Sequence, residues 1–397
     1  MDLEQGVGEP SQQAHKKYVL ILGGSNFMGK DLLTELAIGT NSDDRSNSNS
    51  IKQNTEVFII NRGKSHWNAE ATALYKSANV HFYYGDRDCH VEYAKLLRYL
   101  SEKVQKQTGN QSFKWDLVVD YCGYLRKEVK SCIRGLSGFI KLYVFISTDS
   151  VYDVCDQDIL QTPVKEENAV RPSSNTKIKE LAEDEEYGHD KMRCEEYLEN
   201  HCLDQKDSFP YMCLRLPDVI GPYDSTARLW TYILWLSNSQ KTPVHIKNEA
   251  EKKPLSFVFS KDITALLLKK ILPRVDDASF ISQLHGQAFN IACSENPTLL
   301  QFLQQVAQIL RISEVSFVQE SRLRLEGHTC KGKFFYPSVY CPHLDTNKAR
   351  RVLGWTATAL DDCLKQSCLF FVDADRYAAE FKKVTAKISK LSEYTIV

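Results

Sequence analysis

The chain has no CxxC pair. Its twelve cysteines are scattered singly from Cys89 to Cys368, a distribution that suits reduced thiols in the cytosol rather than a paired-thiol framework. It has almost no net charge either. Fifty basic residues stand against 51 acidic ones, for a formal net charge of -1, so no global field draws the protein to nucleic acid or to anionic membranes, and such a partner would need a local patch. No apolar run approaches the roughly 18 residues of a membrane helix, and the opening "MDLEQGVGEPSQQAHKK" lacks the apolar core of a signal peptide. These absences point to a cytoplasmic protein with no membrane partner. No internal repeat stands out.

What is present is enough apolar sequence for a sizeable core, 43% of 397 residues, and a length that suits two or three domains at about 100–200 residues each. Apolar runs alternate with helical patterns: "YVLILG", "KDLLTELAI", "EVFIIN", "VHFYYGD", "HVEYAKLLRYLSEKVQKQ", "WDLVVDY", "KEVKSCIRGLSGF", "LYVFIST". Continuous Val/Ile/Leu/Phe/Tyr runs are the mark of strands buried on both faces, and each intervening helix is long enough to cross over. The pattern predicts an α/β fold built on a doubly wound parallel sheet. Two polar stretches, Gly39–Thr55 and residues 173–186, read as solvated insertions, the second partly helical. Past "YMCLRLPDVIG" the rhythm loosens, which predicts a smaller mixed domain. The expected division is a disordered tail at 1–16, a dinucleotide-binding domain at 17–225 that segments near 255–292 rejoin, and a substrate-binding domain at 226–397.

The stretch "YVLILGGSNFMGK" runs from a strand through Gly23 and Gly24 to Gly29 at the start of a helix. Gly23 permits a tight turn, Gly29 lets helix and strand approach, and the amides opening the helix can face a pyrophosphate. Asn26 stands where such a turn ordinarily has its middle glycine. Asparagine takes positive φ more readily than most residues, so Asn26 is expected to turn in that conformation. The second strand ends in Asn61 and Arg62, followed by Gly63 and Lys64. A carboxylate there would hold the ribose 2′-hydroxyl of NAD, whereas an arginine suits the 2′-phosphate of NADP. NADP(H) is therefore favoured, with NAD(H) left open.

Downstream, "FISTDSVY" places Ser147, Thr148 and Asp149 just past an apolar strand, at the edge where ligands of such sheets bind. Tyr187 and Lys191 follow, four apart and on one helix face. A phenol beside an ammonium is a plausible acid/base, because the positive charge stabilises phenolate and lowers a pKa that starts near 10. The hydroxyl of Thr148 would hold the substrate oxygen. A Tyr four residues before a Lys is often only a surface pair, and its weight comes from the order of all these pieces.

Taken together, "GGSNFMG", "NRGK", "GDRD", "WDLVVDYCGY", "YVFISTDSVY", "YGHDK", "LRLPDVIGP", "SFVFSKDIT", "GQAFNIA" and "LDTNKARRVLGW" resemble an extended or atypical short-chain dehydrogenase/reductase, of the NAD-dependent epimerase/dehydratase kind. The resemblance implies a Rossmann-type domain with a C-terminal substrate domain. It also implies a pyrophosphate site at Gly23, Gly24, Asn26, Phe27, Met28 and Gly29, and an adenosine end at Asn61, Arg62 and Asp86. Cys122 and Lys191 would touch the dinucleotide, Pro217 and Val219 would line the nicotinamide pocket, and Thr148, Tyr187 and Lys191 would form the reaction centre. Related enzymes are often dimers, which implies a homodimer. "NRGK", "GDRD" and "VVDYCGY" are most similar to the branch containing chloroplast stem-loop-binding proteins, which is associated with RNA binding and often lacks the full active-site pair. Here both members of that pair are present. "STDS" resembles the "STDE" of sugar-nucleotide dehydratases, but Ser150 replaces the acid that would abstract a proton, which argues against a dehydratase. Asp153 stands where many relatives have glycine.

Other signals carry less. His328, Cys330, Cys341 and His343 have HxC and CxH spacings unlike those of zinc modules, so no metal is expected. Lys247, Lys252, Lys253 and Lys261 are interleaved with Glu249 and Glu251 and read as a solvated face. Two functional classes stay open. One is a reductase or epimerase acting on a nucleotide sugar or related carbonyl or alcohol. The other is a non-catalytic dinucleotide-binding regulator or RNA binder.

Overall fold

The computed structural model describes residues 16–38, 53–63, 68–203, 208–226, 228–241, 243–246, 252–319, 323–324, 343–372 and 395–396. Residues 1–15 and most of the Ser/Asn/Asp-rich stretch lie outside the described residues. So do Lys64, Lys247, Glu249, Glu251, His328, Cys330 and Cys341.

The apolar runs form strands in the predicted order. These are β1 (Lys17–Leu22), β2 (Thr55–Asn61), β3 (Val80–Tyr84), β4 (Leu117–Asp120), β5 (Tyr143–Thr148) and β6 (Tyr211–Leu216), joined by a strand at Gln287–Asn290. All seven are parallel, with the Gln287–Asn290 strand at one edge followed by β6, β5, β4, β1, β2 and β3. The order reverses at β1, and in open sheets of this kind ligands bind outside the carboxyl ends of the strands at such a switch point.

Alternation along β1 shows how the two faces are covered. Val19 and Ile21 pack with Leu32, Leu33 and Leu36 of α1 (Phe27–Leu36). Leu20 and Leu22 face the other way, onto Leu97 and Leu100 of α2 (His90–Thr108) and onto Val129 and Ile133 of α3 (Arg126–Leu136). Both faces are dry, which is why the strands read as unbroken apolar runs. A separate apolar cluster gathers Trp230 and Trp235 with Phe257, Phe302, Leu303 and Phe371, all from sequence beyond residue 226. The aromatics of "RLWTYILWL" pack there. Within the charged insertion at 173–186, Asn175–Asp184 is helical, capped by the Ser174 side chain accepting from the Lys177 amide.

Polar side chains inside the sheet are tied together. Arg215, buried in β6, donates to Glu195 through Nη2 at 2.6 Å and through Nη1 to the Tyr152 hydroxyl and the Glu166 carbonyl, each at 3.0 Å. Ser147 Oγ donates to Glu195 Oε1 at 2.5 Å, and the Tyr152 hydroxyl donates to Asn290 Oδ1 at 2.7 Å. Breaking a buried pair strands a charge that cannot reach water. Arg215→Ala is therefore expected to cost about 3–5 kcal/mol of unfolding free energy, measured by urea denaturation. A loss under about 1 kcal/mol would put the pair with ordinary exposed ion pairs.

Candidate active site

A cleft of about 640 Å³ opens along the carboxyl ends of the strands. The residues singled out from the sequence meet on its walls: the turn from Gly23 to Gly29, Asn61 and Arg62, Asp86, Cys122, Thr148, Tyr187, Lys191, Pro217 and Val219.

The phosphate-type turn joins β1 to α1. Gly23 and Gly24 both take positive φ, 92° and 85°. A Cβ on Gly29 would stand 2.1 Å from Cα of Gly24, so only glycine allows the helix to come this close. Asn26 departs from expectation: with φ -127° and ψ 154° it is extended, and it leads into α1 as the N-cap residue. The two leading glycines have already reversed the chain, and the remaining positive φ falls on Phe27, at 45°. The first turn of α1 carries no acidic residue, so the helix end offers unopposed positive dipole.

At the end of β2 the Asn61 amide donates to the Tyr75 hydroxyl at 3.0 Å and accepts from the Gly63 amide at 2.8 Å. It braces the loop. Arg62 is 59% exposed and 3.7 Å from the Asp88 carboxylate, a contact too loose and wet to hold it. Asp86 Oδ1 accepts from the Asp88 amide at 3.1 Å.

Below them lies Arg87, which is buried and bonded to Asp120 through Nη1 at 2.5 Å and Nη2 at 2.9 Å. Its two amino groups also reach the thiols of Cys122 (3.2 Å) and Cys132 (2.9 Å). Tyr143 donates to Asp120 at 2.5 Å. Burial pushes the Asp120 carboxyl upward, but the charge and hydrogen bonds of Arg87 outweigh it and leave the group below its ordinary range. Burial pushes the Cys122 thiol up, so it is a packed thiol rather than a nucleophile.

The reaction end is set by α4 (Glu186–Leu203). Gly188 allows this helix to press on the segment after β5, since a Cβ there would meet the Ser150 carbonyl at 2.1 Å. The Tyr187 side chain lines the cleft together with Thr148. Lys191 is only 2% exposed, and its ammonium donates to the carbonyls of Gly123 (2.9 Å) and Ile146 (2.5 Å). The expected lowering of the Tyr187 pKa is not found. Crowding by the cleft walls, then the neighbouring Tyr124, push the phenol above its ordinary value. The ammonium is spent on main-chain carbonyls, and burial lowers its own pKa.

The cleft residues that escaped the sequence reading as site members include Arg87, Tyr124, Glu128 and Arg228. Glu128 accepts the amides of Tyr124 and Leu125, each at 2.8 Å. Arg228 donates to Asp218 at 2.8 Å. "GDRD" and "DYCGY" held the first two in plain view, but nothing local says that Arg87 finds Asp120 33 positions on. Among the described residues no group of three His, Cys, Asp or Glu side chains is placed to hold a metal, and no helix is long and apolar enough to cross a membrane.

No protein-family model and no curated protein sequence matches this chain. Solved structures do. The chain is similar to dTDP-glucose 4,6-dehydratase from Bacillus anthracis str. Ames in complex with NAD, at a TM-score of 0.60 and 14% identity, covering 91% of this chain and 98% of that one. It is similar to UDP-glucose 4-epimerase from Thermotoga maritima with UDP-glucose, at 0.59 and 17%, covering 89% and 98%. It is also similar to UDP-glucuronic acid 4-epimerase from Bacillus cereus in complex with NAD, at 0.60 and 15%, covering 91% and 99%. The fold is the Rossmann-type one of these enzymes. The residues present fit a dinucleotide: Gly23 and Gly24 turn at positive φ on the cleft wall, and the helix end behind them carries no opposing acid. Gly29→Ala is expected to lower the melting temperature by several degrees, of order 1–3 kcal/mol for a forced core contact. An unchanged melting curve would show that the turn relaxes freely.

Proposed function

We propose that the protein is an NAD(P)-dependent oxidoreductase or epimerase acting on a nucleotide sugar or a related carbonyl or alcohol. The observation that carries this reading is that Thr148, Tyr187 and Lys191 line the same cleft as the glycine turn. The similarity in fold to nucleotide-sugar epimerases and a dehydratase supports the substrate class.

In this reading the glycine turn and the α1 amides hold the pyrophosphate, Asp86 and Arg62 the adenosine end, and Pro217 and Val219 wall the nicotinamide. The dinucleotide, when bound, supplies hydride chemistry. Thr148 orients the substrate oxygen, and Tyr187 gives or takes its proton. Arg62 is exposed and weakly engaged, so it is free to grip a 2′-phosphate, and no carboxylate ends β2. That arrangement favours NADP(H) over NAD(H).

One observation favours the other class. The Lys191 ammonium is held by two main-chain carbonyls, an arrangement a purely structural lysine would also show. A binding protein of the chloroplast stem-loop-binding kind would use the same cleft without turnover.

Tyr187→Phe separates the two. It removes one hydroxyl, so dinucleotide affinity should hold while turnover falls by roughly 10²–10⁴-fold. Full turnover in this variant would remove Tyr187 as the acid/base. Calorimetry should also show NADPH binding more tightly than NADH, with the preference shrinking in Arg62→Ala by about 1.5–3 kcal/mol. Equal affinities in the parent protein would reject the assignment of Arg62.

A further inference from the structure

The dinucleotide end of the cleft is framed by two loops. One follows β2 and carries Arg62, the other follows β3 and carries Asp86, Arg87 and Asp88, and all four residues line the cleft. The loops are tied at their roots, where the Gly85 amide donates to the Asn61 carbonyl at 3.0 Å. Across the gap between them, Asp88 Oδ2 stands 3.7 Å from Arg62 Nη1.

The backbone at Asp88 is pinned. Its amide donates to Asp86 Oδ1 at 3.1 Å, and the Cys89 amide donates to the Asp86 carbonyl at 3.1 Å, which closes a tight turn. Between the two aspartates Arg87 runs inward, where the Asp120 carboxylate and the thiols of Cys122 and Cys132 hold its guanidinium. The charge of Arg87 is thereby spent below the lip. On the lip itself Arg62 faces Asp88, whose side chain is 69% exposed, so the aspartate acts there through its charge rather than through packing.

We infer that Asp88 is a specificity-determining residue for the dinucleotide, a carboxylate that limits how strongly the cleft can prefer a ribose 2′-phosphate to a 2′-hydroxyl. The inference rests on the reading of this cleft as a dinucleotide site with Arg62 at the adenosine end. Two effects work in the same direction. A 2′-phosphate gripped by Arg62 must displace Asp88 from the guanidinium, and a group carrying about two negative charges at pH 7 is then brought next to a carboxylate. A 2′-hydroxyl meets neither penalty. No acid ends β2, and Asp88 supplies from the next loop part of the discrimination that an acid there would exert.

The test is Asp88→Asn in the full chain, with NADPH and NADH binding measured by calorimetry. Asparagine keeps the size of the side chain at an exposed position and removes only its charge. The Kd for NADPH should fall by about three- to tenfold at low ionic strength, while that for NADH should change by less than about twofold. In roughly 0.5 M salt the gain for NADPH should shrink, because exposed charges are screened. An unchanged ratio of the two affinities in Asp88→Asn, or a gain that persists undiminished in salt, would overturn the inference and leave the dinucleotide reading standing. A parent protein that binds neither dinucleotide would remove that reading, and the role of Asp88 with it.

Discussion

The reaction end of the cleft depends on where one buried ammonium is held. Lys191 projects from α4 into a space with almost no solvent and donates to the carbonyls of Gly123 and Ile146. Those carbonyls belong to the loop after β4 and to β5 itself. One side chain therefore fixes the distance between a helix and two strand ends. An unpaired ammonium here would be costly to bury, and the two carbonyls supply its partners. Tyr187, Thr148 and Tyr124 all take their places from this arrangement, because each sits within a few residues of one of the three elements that Lys191 joins.

The dinucleotide end is built differently. Its shape comes from missing atoms: Gly24 and Gly29 meet so closely that a methyl group has no room. Behind it, Arg87 and Asp120 form a buried pair with Tyr143 donating to the same carboxylate. Buried pairs of this kind add little net stability but penalise every arrangement in which the partners separate. Their effect is to set the position of the β3 and β4 ends relative to each other, and so the floor on which an adenosine end would lie. The Arg215 and Glu195 pair does the same deeper in the sheet, linking β5, β6 and α4.

This contrast explains how much was legible beforehand. The sheet could be read from runs such as "LVVD" and "YVFIST", because burial on both faces forces a composition that no surface strand has. The glycine turn could be read because steric exclusion is written in the identity of a single residue. Asn26 was misjudged for a related reason: the rule that Asn tolerates positive φ says where such a conformation is permitted, not where the chain needs it. Gly23 and Gly24 had already met that need, and Phe27 took the rest. The partner of Lys191 could not be read at all. Main-chain carbonyls are present at every position, so no pattern of residue types marks the two that accept its protons.

The same contrast bears on how substitutions at the two ends should differ in kind. At the glycine turn an added methyl meets backbone within four residues of the strand, and backbone there cannot yield without moving β1 or α1. At the reaction end the contacts are between side chains from separate elements, at 5.3 Å and 6.4 Å rather than at the limit of close packing. Rings and an ammonium at such separations act through fields and excluded space, and these change by degrees as atoms are removed. Single side chains at this end can therefore be exchanged while the fold that presents them stays fixed.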